Sequence, residues 1–168
     1  MREDSAAPVE LIEVVDADDV VIEIADRMRV RAERLRHRTA FVVVRSTQGE
    51  ILAHRRALTK STAPGEWDLG FGGGVAVGEA YEAAATRELA EEAGISTPLR
   101  LVTAYAYDGI DSVEIGRLFE TVSDGPFDHP ADEVAETKFV APDALDHFVA
   151  THHVCHAAVE VMVALLRP

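Results

Sequence analysis

Only one cysteine, Cys155, occurs in the chain, so no intrachain disulfide can staple it, and a reducing compartment is expected. No apolar run is long enough to cross a bilayer, and the opening MREDSAAPVE lacks the apolar core of a secretory leader. A cytoplasmic protein without a membrane partner is the expectation. Positive charge is also scarce, with 16 Lys and Arg against 30 Asp and Glu and a formal charge of −14. That imbalance argues against nucleic-acid partners, which need an electropositive footprint. A phosphate-bearing ligand would need metal ions or a local cluster of basic side chains. The richest basic stretches are RMRVRAERLRHR (27–38) and HRRALTK (54–60). Read blandly, they are a solvated helix face and a polar strand end.

What is present matches one domain spanning residues 1–168, with 48% apolar and 27% charged residues. VELIEVVD (9–16) and DVVIEIAD (19–26) are β-branched runs that suit an N-terminal hairpin, and MRVRAERLRH (28–37) favours a helix. TAFVVVR (39–45) is the short continuous apolar run of a strand covered on both faces. EILAHRR (50–56) is a further strand, and Pro64-Gly65 breaks the following loop. A long helix is expected from about Glu79 to Ala93, capped by Gly94. LRLVTAYAYD (99–108), SVEIGRLFETV (112–122) and residues 136–140 read as strands, Pro142 as the start of a short helix, and CHAAVEVMVALL (155–166) as a final helix. Hairpins combined with a long helical crossover predict an α/β (α+β) layered domain with a mixed sheet.

The central helix breaks two local rules. Glu88, Glu91 and Glu92 fall within an arc of about 100° on one face, where like charges three or four residues apart repel. They also sit at the helix C-terminus, where the dipole disfavours negative charge. Tyr81 and Ala84 continue the same arc as apolar surface, so the acids are expected to face protein. A divalent cation with hard oxygen ligands would relieve the conflict. The plain alternative is an exposed acidic helix in which Arg87 pairs with Glu91. Gly70, Gly72, Gly73 and Gly74, just before the helix, permit close backbone approach to a ligand.

Gly73, Glu79, Arg87-Glu88-Leu89, Glu91-Glu92, Gly94 and Ile95 fill every fixed position of a pattern written G-x5-E-x7-R-E-U-x-E-E-x-G-U, with U aliphatic. In this the chain resembles the Nudix box, here residues 73–95. The resemblance implies a mixed sheet sandwiched between helices, with the box as loop, helix and loop. It implies that Glu88, Glu91 and Glu92 bind Mg²⁺, or Mn²⁺, with a backbone carbonyl from Gly73. Glu88 is implied to orient or deprotonate water, with Glu91 beside it in the catalytic set. Arg87 enters that set as the partner of Glu79 that holds carboxylates in place. The activity implied is hydrolysis of a nucleoside diphosphate derivative or another organic diphosphate. A non-catalytic nucleotide-binding or regulatory domain is the alternative.

Residues 36–95 also look like the Nudix branch related to isopentenyl-diphosphate isomerase, particularly RRALTK followed by PGEW. The isomerase cysteine and histidine would fall on Gly72 and Gly74, so isomerase activity is the minor reading. By that analogy Arg55, Arg56 and Lys60 meet substrate phosphates, although strand alternation lets only one of the two arginines face the site. His37 aligns with an isomerase metal ligand and Glu114 with its glutamate. Trp67 reads as core before base-stacking platform. An extra carboxylate is sought among Asp108, Asp111, Glu114, Asp132 and Glu133. His152 and His156, four apart with Cys155 nearby, suit a metal, though a polar helix start is the favoured reading. A homodimer through the hairpin or the final helix is compatible with the sequence.

Overall fold

The computed structural model describes residues 9–167; residues 1–8, which include most of the segment read for lack of a leader, and Pro168 lie outside the described residues. The β-branched runs form β1 (Leu11–Val15) and β2 (Val21–Asp26), antiparallel as expected. Their turn is set by Asp16, whose Oδ1 accepts from the backbone N–H groups of Asp18 and Val20, while Asp19 takes a left-handed φ of 65°. The basic helix is shorter than expected. Asp26 caps α1 (Arg27–Ala32) by accepting from Met28 N–H, and Arg34, at φ 51°, turns the chain out of it.

The apolar run becomes β3 (His37–Arg45), the centre of the sheet. It pairs in parallel with β8 (Val113–Val122) along its whole length, and β8 pairs antiparallel with β7 (Arg100–Asp108). The other edge of β3 receives β6 (Phe71–Gly74), with single bridging pairs to β1 at His37 and to β4 (Ile51–Arg56) at Arg45. β4 in turn pairs with β5 (Trp67–Asp68) and β9 (Val134–Val140).

Alternation along β3 divides the core. Ala40, Val42 and Val44 pack with Phe71, Ala84, Ala85 and Leu89 beneath α2 (Tyr81–Ala93), while Val43 packs with Leu118, Leu145, Phe148 and Met162 on the opposite side. That second layer comes from a 3₁₀ turn at Pro142–Ala144, α3 (Leu145–Thr151), a π-turn over Ala158–Met162 and α4 (Val163–Leu166). The result is a mixed sheet between helical layers. The hairpin carries its own cluster of Ile12, Val14, Ala25 and Val30, with Ile22 and Ile24 of the edge strand β2 exposed. Among the described residues no helix is long and apolar enough to cross a membrane.

Candidate active site

α2 begins at Tyr81, two residues later than expected, because Glu79 belongs to the preceding turn, where its N–H donates to Ala76 O. Its end follows the sequence closely: Gly94 is left-handed at φ 68° and donates to Ala90 O. α2 lies against β6, whose glycines let a carboxylate rest on strand backbone. A Cβ on Gly73 would sit 3.1 Å from Glu88 Oε1, and one on Gly72 would meet Ala40 O at 2.1 Å. The Gly72 N–H donates to Glu92 Oε2 at 3.0 Å, which draws the buried Glu92 onto the strand.

Arg87 organises the remaining acids. Its Nε and Nη2 donate to the two oxygens of Glu79, both at 3.0 Å, while Nη1 reaches Glu88 Oε1 at 2.6 Å and Glu91 Oε2 at 3.4 Å. Glu79 Oε2 also accepts from Ala76 N–H, so the arginine fastens the loop before α2 to the helix itself. Its hydrogen bond to Glu79 raises the guanidinium pKa, despite partial burial.

Gly73 contributes differently from the expected carbonyl ligand. Along β6 the backbone groups of alternate residues point to opposite edges, and the off-ladder contacts belong to Gly72 N–H, bound by Glu92, and Gly74 O, bound by Arg87. Gly73 therefore turns its own carbonyl toward Ala40 on β3, and what it gives the site is the space that Glu88 fills.

Burial dominates the electrostatics. It raises the Glu88 pKa against the opposing pull of Arg87. Glu92 is pushed up to about 7, first by burial and then by the charge of Glu88, with Lys60 and the Gly72 N–H opposing. Lys60 Nζ stands 3.6 Å from Glu92 Oε1 and contacts Glu133. Among the described residues no three acidic, histidine or cysteine side chains are gathered about one point to hold a metal ion. Glu88 is turned to Arg87 and Glu92 to β6. Even so, the donor set is hard oxygen throughout, and two carboxylates keep raised pKa values despite Arg87 and Lys60, a conflict that a divalent cation would relieve.

A pH dependence follows from Glu92. Its folded pKa of about 7 exceeds its ordinary value of 4.5, so the folded state binds the proton more tightly. Its contribution to the stability of the metal-free protein is then greatest below the ordinary value and declines as pH rises through the folded one, by on the order of 3 kcal/mol. Urea unfolding in EDTA should show it as a difference in unfolding free energy, parent minus Glu92→Gln, that falls between pH 5 and pH 8. The buried His54 ring, pushed down to about 3, acts in the opposite sense and is common to both proteins, so the difference isolates Glu92.

These acids form one wall of a cavity of about 1020 Å³. Arg56 and Lys60 line it as well; Arg55 is a correction, because alternation along β4 turns it outward to Glu136 at 3.4 Å, away from the cavity. Asp111, Glu114, Asp132 and Glu133 line the cavity, whereas Asp108 lies beyond it with Arg34 at 3.5 Å. Glu114 is buried and accepts from Thr39 Oγ1 at 2.9 Å. His37 also lines the cavity, its Nδ1 3.0 Å from Leu35 O.

Trp67 is core, edge-on to Phe148 with ring centroids 5.4 Å apart. His152 and His156 do not share a helix face: His152 ends α3 in an extended conformation and stacks on Phe148 at 4.2 Å. The chain then bridges to Trp67, and this brings Cys155 to the cavity wall although it lies far from the box in sequence. Burial, then the charge of Asp68, pushes the Cys155 thiol well up. Arg27 and Arg31 of α1 line the cavity as well, and the bland reading of their basic stretch missed them.

Residues 35–158 match the model of the NUDIX domain. The Nudix hydrolase YfcD of Escherichia coli K12 is 35% identical over 146 residues, covering 86% of this chain and 81% of that one. The Nudix hydrolase PA4841 of Pseudomonas aeruginosa is 35% identical over 144 residues, covering 85% of each. Among solved structures, DR0079 from Deinococcus radiodurans superposes with a TM-score of 0.79 at 23% identity, over 94% of this chain and 97% of that one. With the box, the layered mixed sheet and these relatives agreeing, the chain belongs to the Nudix hydrolase family.

Proposed function

We propose that the protein is a Mg²⁺-dependent hydrolase of a diphosphate bond in a nucleoside diphosphate derivative or another organic diphosphate. The observation that carries this reading is the half-buried Glu88 and the buried Glu92 resting on the glycines of β6, in one cavity with the basic side chains of Arg56 and Lys60. When bound, the cation screens the diphosphate oxygens and acidifies the attacking water. Glu88 and Glu92 would hold it, with Glu91 approaching from the solvent side and Gly72 supplying the nearby off-ladder backbone oxygen. Glu88, held by Arg87, is also placed to orient water. Lys60 and Arg56 meet the negative oxygens, and Arg87 positions Glu88 without touching substrate.

The test is a hydrolysis panel with Mg²⁺, products identified by mass: nucleoside triphosphates, nucleotide sugars, dinucleotides, ADP-ribose and prenyl diphosphates including isopentenyl diphosphate. Metal-dependent cleavage of one class is the expected result. Conversion of isopentenyl diphosphate to its isomer would instead assign Cys155 a role that its raised thiol pKa disfavours. A second reading, a nucleotide-binding module without turnover, draws on Glu88 and Glu92 being engaged by protein cations instead of gathered about one point. Binding with no cleavage of any panel member would favour it.

A further inference from the structure

Five arginine and lysine side chains line the cavity, and three of them are already neutralised. Arg27 lies 2.6 Å from Glu10, Lys60 contacts Glu133 and Glu92, and Arg87 holds Glu79 and Glu88. The other two, Arg31 and Arg56, have no carboxylate within 4.0 Å among the described residues, in a chain with 30 acidic residues against 16 basic ones. Two charged fork-shaped donors in one cavity, neither in contact with a carboxylate among the described residues, keep donors and charge for a ligand.

Both guanidiniums are positioned by the same loop. Arg31 Nη1 donates to Ser61 Oγ at 2.8 Å, and Arg56 Nε donates to Thr62 O at 3.1 Å. Arg31 comes from α1 and Arg56 from the end of β4, so the loop between β4 and β5 gathers them from two separate parts of the chain. Each of these bonds uses one of the five N–H donors of its side chain, which leaves donors for a ligand. Both side chains are half-buried, where an ionic hydrogen bond is screened less than at the open surface. Burial lowers the Arg31 pKa, and the positive charges of Arg27 and Arg56 lower it further against the opposing charge of Glu10, consistent with the arginines lying in one another's field.

We propose that Arg31 and Arg56 form a phosphoryl subsite separate from the Glu88–Glu92 wall, and that Arg31 makes the enzyme select substrates carrying a phosphoryl group beyond the bond that is cleaved. The selectivity rests on the hydrolase reading above; the subsite itself does not. Anion binding at paired guanidiniums needs no divalent cation, whereas binding at the acidic wall does.

The first experiment titrates inorganic pyrophosphate into the full chain in EDTA by calorimetry. The wild type is expected to bind, and Arg31→Gln to bind about 10- to 100-fold more weakly, the loss of one ionic hydrogen-bonding partner. Arg31→Lys, which keeps the charge but not the fork, should fall between them and covers the case in which Arg31→Gln folds poorly. Arg29→Gln, which removes a charge from the same helix where it pairs with Glu23 and Glu33, should bind like the wild type. No binding by the wild type, or equal binding by Arg31→Gln, overturns the subsite. The second experiment compares kcat/KM for two nucleotides that differ by one terminal phosphoryl group. Arg31→Gln should lose about tenfold on the longer one, through KM, and little on the shorter. Equal losses on both overturn the selectivity. Anion binding without hydrolysis would sink the hydrolase reading and leave the subsite standing.

Discussion

Glu88→Gln and Glu92→Gln are each expected to lower Mg²⁺-dependent diphosphate hydrolysis by about 10³-fold or more, with the fold intact. The size follows from the role proposed for them: charge delivered to a phosphoryl oxygen is worth several kcal/mol, and each 1.4 kcal/mol is roughly tenfold in rate. Glutamine keeps the shape and removes the negative charge, so Arg87 can still reach the Glu88 position and Gly72 N–H the Glu92 position. Because Glu92 is buried and its pKa is raised, Glu92→Gln should also leave the metal-free protein at least as stable as the parent near pH 8. Loss of activity with unchanged or higher stability is the signature sought. Glu91, with its side chain 59% exposed, should give the smallest effect of the three acids. Activity within a few-fold of the parent in both Glu88→Gln and Glu92→Gln would remove the assignment of these residues. The readout is steady-state hydrolysis of whichever panel substrate is cleaved, with thermal unfolding alongside.

Phe71→Ala should cost about 3–5 kcal/mol of unfolding free energy, the usual loss for a fully buried aromatic residue. Phe71 is the first residue of β6, shows no exposed surface, and stacks on the buried His54 ring with centroids 4.4 Å apart. It belongs to the cluster that joins α2 to β3, so its side chain fixes the height at which the next residues, Gly72 and Gly73, meet Glu92 and Glu88. Removing it should therefore lower stability and activity together, unlike the Glu92 substitution. Urea unfolding of Phe71→Ala beside Phe71→Leu checks this, with the leucine variant retaining most of the lost stability. A shift in the alanine variant below about 1 kcal/mol would show that the layer repacks around the gap.

Much of the site was legible because its residues are local in sequence. The spacing from Gly73 to Ile95 lies on one strand, turn and helix, so period and capping rules placed the acids on a single face and the left-handed glycine at its end. The apolar run of β3 was equally plain, being buried on both faces. Legibility failed where placement depends on distant pairings. Nothing local says that α1 stops at Ala32 and swings Arg31 over the loop at Ser61, or that a bridge from Val154 to Trp67 carries Cys155 to the cavity. The spacing of His152 and His156 suggested one helix face, but an extended residue at the end of α3 separates them. The Gly73 carbonyl was misassigned for a related reason: its direction is set by the pairing of β6 with β3, which no residue of the box encodes.

The parallel pairing of β3 with β8 joins residues 37–45 to residues 114–122. A nascent chain therefore emerges from the ribosome with its box complete while the central strand still lacks the neighbour along one whole edge. Such long-range closure is slow compared with forming a helix, and until it happens the apolar β3 is an open edge. Truncation after Gly94 would leave a polypeptide that carries every box carboxylate but has no platform to align them. Premature termination in this protein should thus yield chaperone clients or protease substrates, not weak enzymes.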